Sequence, residues 1–154
     1  MRALTPILVL TAALALPAAA QVTAEQTVLT ETVTVDETGR ETIQTKPAER
    51  VVPGDRLAYV LRYENEGAAP ADGLVLVMPV PSTIAYVPGT EGGGAPEQSV
   101  DGGQTFGTLA ALTVTEDGTP RPAEPTDVTH LRWRLAGSVA PGEAGEVSFR
   151  GVLR

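Results

Sequence analysis

The chain has 154 residues with 19 acidic and 11 basic side chains, a formal charge of −8 and no cysteine. That excludes disulfides, thiol catalysis and thiolate metal sites, and the dispersed acidity disfavours nucleic acid and anionic lipid. Lys46 is the only lysine and His130 the only histidine, so few catalytic groups remain.

Residues 1–20, MRALTPILVLTAALALPAAA, read as a signal peptide. Arg2 gives a short positive start, residues 4–16 an apolar stretch, and Ala18 and Ala20 the small side chains for cleavage after Ala20. The apolar run is short for a ~30 Å hydrocarbon core. Polar sequence follows it, so the expected product is exported and keeps no membrane anchor after cleavage. Residues 21–46 read as an N-terminal β-hairpin extension, in which strands 28–35 and 41–45 flank the loop 36–40. Gly39 there can take the left-handed conformation a tight turn needs. The hairpin is polar and threonine-rich, expected at a sheet edge or projecting, with Pro47 dividing it from residues 47–154.

From residue 47 onward, Gly and Pro interrupt the chain too often for long helices, and the segments between them alternate as strands do. In 56–64, Leu57, Tyr59, Leu61 and Tyr63 share one side. In 128–135, Leu131, Trp133 and Leu135 oppose His130, Arg132 and Arg134; in 146–153, Val147, Phe149 and Leu153 oppose Ser148 and Arg150. Several short strands with one dry face predict an all-β chain, an immunoglobulin-like antiparallel β-sandwich. Segments 88–96 and 116–126 read as the two longer loops. Segment 73–80 differs from the other strands. Leu74, Leu76 and Met78 face the core, which turns Val75 and Val77 outward where the other strands carry charge. Ordinary surface valines are one explanation; cover by the N-terminal hairpin or by a partner protein is the other.

The segment 51–67, VVPGDRLAYVLRYENEG, resembles the opening of the bacterial "conserved repeat" domain of unknown function. Pro53-Gly54-Asp55 precede an alternating strand that ends in the corner Asn65-Glu66-Gly67. Segments 99–109 and 127–135 resemble single-copy exported forms of that domain, so the resemblance spans 51–154. It implies an immunoglobulin-like sandwich on a bacterial secreted, periplasmic or surface protein, and it carries over no functional residues.

Four chemical constellations are weighed and set aside. His130 and Asp127, three apart, fall on opposite faces if they share a strand, and no serine has nucleophile-elbow flanks. Asp101-Gly102-Gly103 and Glu116-Asp117-Gly118 offer too few oxygens for calcium and read as turns. An isopeptide bond would need Lys46 and Asn65, read instead as an exposed strand end and a turn residue. Four of the six aromatics take inward positions, leaving Tyr86 and Phe106 as too little for a glycan platform.

The expectation is therefore an exported, non-enzymatic module, periplasmic rather than extracellular, that binds another envelope or surface protein. Val75 and Val77 are the candidate binding residues, and no catalytic residue, metal or cofactor is expected. The alternatives are an assembly subunit donating strand 28–35 to a neighbour, and an envelope hydrolase using His130 or dispersed carboxylates.

Overall fold

A computed structural model describes residues 19–154. The expected signal segment, 1–20, lies outside the described residues except for Ala19 and Ala20, both exposed. The chain is an all-β sandwich. Among the described residues ten strands follow in order: β1 Val22–Val35, β2 Glu41–Pro47, β3 Arg56–Asn65, β4 Val75–Pro79, β5 Ile84–Gly92, β6 Glu97–Ser99, β7 Thr113–Glu116, β8 Thr119–Pro122, β9 His130–Arg134 and β10 Ala144–Leu153. One sheet has the order β2-β1-β3-β10-β5, a second β4-β9-β6, and β7-β8 form a separate hairpin.

The core lies between the two larger sheets, and its residues are those whose alternation turns them inward. Leu57, Tyr59, Leu61, Val147, Phe149, Ile84 and Tyr86 come from the five-stranded sheet; Leu76, Met78, Leu131 and Trp133 come from the three-stranded one. Tyr59 stacks on Phe149 with centroids 4.7 Å apart, and Tyr86 meets Phe149 edge-on at 6.1 Å. Tyr86 is thus core, contrary to its reading as a leftover aromatic, and its hydroxyl donates to the Glu91 carboxylate. Tyr63 keeps its inward parity but is only half-buried. Its ring lies against Gly145, directly opposite in register, where a Cβ would collide with it.

Asn65 ends β3 fully buried rather than simply turning a corner. Its amide donates to the carbonyls of Ala69 at 2.8 Å and Val139 at 2.9 Å, and its carbonyl accepts the N–H of Gly67 at 3.0 Å and of Gln21 at 3.3 Å. All four bonding capacities of the side chain are therefore met, as burial of an amide requires.

β1 and β2 form the expected hairpin, closed by Asp36, whose carboxylate accepts the N–H groups of Thr38 and Arg40. β1 starts at Val22, well before the expected strand, and pairs with β3 from Val22 to Glu31. Over Leu29–Glu31 β1 is thus bonded on both edges, and donating that stretch to a neighbour would first require breaking a pairing.

About half of the two expected loops is strand. Pro88-Gly89 lies within β5, beside an irregularity in its register with β10. Segment 116–126 contains the β7–β8 turn at Asp117-Gly118, with φ of 50° and 82°, and a 3-10 turn at Pro125–Asp127. Both central residues are left-handed, as a two-residue hairpin turn demands.

Candidate functional site

The outer face of the three-stranded sheet is set by its register. Across β4 and β9, Val75 stands opposite Arg134, Val77 opposite Arg132, and Pro79 opposite His130; across β9 and β6, Arg132 stands opposite Glu97 and His130 opposite Ser99. Val75 is 42% exposed and Val77 45%, while Leu76 between them and Met78 after them are buried. The N-terminal hairpin does not cover the valines, because it sits at the far edge of the other sheet.

The β6 side of this face is built up and the β4 side is bare. Arg132 and Arg134 each place Nε on the same Glu97 oxygen, at 2.7 and 3.0 Å. The bond from Arg132, helped by Arg134, holds the Glu97 carboxyl below the usual range despite partial desolvation. The Phe106 ring lies 4.0 Å from the Arg132 guanidinium, a cation–π contact that fixes its plane. The loop before Phe106 is closed by Asp101, which accepts from the hydroxyls of Thr105 at 2.6 Å and Ser99 at 2.7 Å, and from the N–H groups of Gln104 and Thr105. These bonds, that of the Thr105 hydroxyl foremost, depress the Asp101 carboxyl strongly. Gly103 of this loop rests against the His130 ring.

β4 is an edge strand. Backbone bonds join Leu135 to Leu74 and Val80 to Thr129, so the even-numbered residues of 74–80 face β9. Val75 and Val77 therefore turn their N–H and C=O groups toward the open edge as well as their side chains toward solvent.

The other sequence candidates are dispersed. Asp127 is held by Arg121 through a two-pronged pair at 2.7 and 2.9 Å, which keeps its carboxyl depressed, while His130 bonds Thr129 at 3.2 Å. Lys46 is exposed and Asn65 buried at a different corner. Among the described residues, no three His, Asp or Glu side chains gather as a metal centre would need.

One cluster escaped the sequence reading. The Glu31 side chain is only 3% exposed on the outer face of the five-stranded sheet, paired with Arg150 at 2.6 Å. Arg150 also donates to the Thr90 carbonyl at 2.9 Å. Glu31 and Arg56 line two surface recesses there, of about 540 and 140 Å³. The lone carboxylate between Leu29 and Val33 on one face of β1 could have flagged Glu31, but its partner lies 119 residues away. No family model, curated protein or solved structure matches this chain.

Proposed function

We propose that this chain is an exported, non-enzymatic module that acts by binding another protein of the bacterial envelope, in the periplasm, through the bare β4 side of the three-stranded sheet. The sandwich is taken as immunoglobulin-like and of the "conserved repeat" kind that 51–67 resembles. The observation that carries the reading is the exposure of Val75 and Val77 on one face of an edge strand whose outer edge is open. Aliphatic side chains beside open backbone groups gain free energy when a partner covers them. Export is supported by the composition of residues 1–20 and by exposed Ala19-Ala20, with Gln21 between them and β1. A non-enzymatic role is supported by the separate bonding of Asp127 and His130.

The test is the double variant Val75→Glu/Val77→Glu, compared with the parent in affinity capture from envelope extract and in thermal unfolding. The fold is expected to change by less than ~0.5 kcal/mol, as solvent-facing substitutions do, and a specific partner held by the parent is expected to be lost. Retention of that partner by a folded double variant would refute the assignment of the face.

A further inference from the structure

The charge on this face is unbalanced in a way that selects a partner. Arg132 and Arg134 share one carboxylate, and each uses only Nε for it. A guanidinium carries five N–H donors. Among the described residues, neither arginine bonds a protein acceptor through its terminal nitrogens, and Arg134 is 58% exposed in its side chain. Two cations against one anion leave a local positive excess on a chain whose formal charge is −8. That excess is fixed in place: Glu97 anchors both arginines and Phe106 orients Arg132.

Spacing adds a second constraint. Val75 and Val77 stand beside Arg134 and Arg132 in register, so the face repeats an aliphatic–cation pair every second residue. Alternate residues of a strand are about 6.6–6.8 Å apart. An extended chain laid along β4 presents its own side chains with the same repeat, and the open N–H and C=O groups of Val75 and Val77 supply its main-chain partners. A helix cannot use those open backbone groups, because its own N–H and C=O groups are bonded within it.

Resting on the reading of Val75 and Val77 as a binding face, we propose that the occupant is an extended acidic segment of a partner protein, added as a strand at the β4 edge. Its carboxylates at positions i and i+2, one strand beyond the valines, are drawn by the positive excess of Arg132 and Arg134 from a distance inside the screening length, while Glu97 keeps the guanidiniums on the β6 side. The acidic surface of the chain elsewhere repels such a segment and so restricts it to this face.

The test is titration of the isotope-labelled chain, followed by NMR, with three peptides of about ten residues, long enough for one strand. They alternate valine with glutamate, with serine, or with lysine. The glutamate peptide is expected to shift the amide signals of Val75, Val77, Arg132 and Arg134. Its affinity is expected to fall about twofold in Arg134→Gln, the weight of a through-space attraction across β4, and to fall again as salt is raised from about 50 to about 300 mM. The lysine peptide is expected to leave those signals in place. Equal shifts from all three peptides would overturn the acidic selectivity while leaving the face a binding surface. A glutamate peptide that shifts only signals elsewhere, or none, overturns the inference. The capture experiment with Val75→Glu/Val77→Glu then decides the face independently. Shifts by vesicles of anionic phospholipid, with none by the glutamate peptide, would also overturn it in favour of a lipid surface.

Discussion

Trp133 is 2% exposed at the centre of β9, and its indole N–H donates to the Gly94 carbonyl at 3.1 Å. Trp133→Ala is expected to destabilise the fold by about 3–5 kcal/mol, the usual loss on deleting a large buried aromatic; an unchanged denaturation midpoint would contradict the packing. Glu31 gives a second test at this scale. Arg150→Met strands a carboxylate whose side chain is 3% exposed. The loss is expected to be about 2–4 kcal/mol, below the fully buried limit because Arg150 is itself partly exposed. Glu31→Gln in the same chain should recover most of it; no recovery would show that the loss comes from Arg150's bond to Thr90 instead. The carboxyls of Asp101, Asp127, Asp36 and Glu97 are all held below their ordinary values, chiefly by the hydrogen bonds of Thr105, Arg121, Thr38 and Arg132. A group depressed in the folded state stabilises it above its unfolded value, and that contribution disappears as pH falls toward the folded value. The urea midpoint is therefore expected to hold down to about pH 5 and to drop below about pH 4. Asp101→Asn should flatten that drop, and an identical acid limb would show that its bonds add nothing.

At the scale of the element, hydrogen exchange reads the register directly. Backbone bonds from Asp36 to Arg40 and from Ala48 to Val28 place Thr42, Gln44 and Lys46 against β1, leaving Glu41, Ile43 and Thr45 on the open edge. Their amides, and those of Val75 and Val77, are expected to exchange faster than the alternate amides of the same strands. Protection of Val75 and Val77 in the isolated protein would mean that β4 is not an edge. Alternation made β3, β4, β9 and β10 legible in the sequence, since each has one dry face and a period of two reveals it. Val75 and Val77 were readable by the same parity. The first half of β1 was not: residues 22–27, VTAEQT, carry little apolar signal, and β3 holds them by backbone bonding. β8 hid for another reason. Pro120 and Pro122 argue against a strand, yet a two-stranded ribbon has only edges and tolerates them. Burial of Asn65 depends on Val139, 74 residues away, so local sequence shows the corner but not the bonds that bury it.

For the whole molecule, the two sheets differ in what they leave open. The five-stranded sheet carries the hairpin at one edge and the Glu31–Arg150 pair on its outer face. The three-stranded sheet is covered on its β6 side by the Asp101–Phe106 loop and bare along β4. The proposed role places all binding on that bare side, so position 77 should touch the partner and the opposite surface should not. The direct measurement is photo-crosslinking in cells that express the chain, with a photoreactive residue at position 77 or, separately, at Thr27, exposed on the other sheet. A discrete crosslinked product is expected from position 77 and none from position 27. A product from position 27 alone, or no product at 77 from a folded and exported chain, would refute binding on the β4 side.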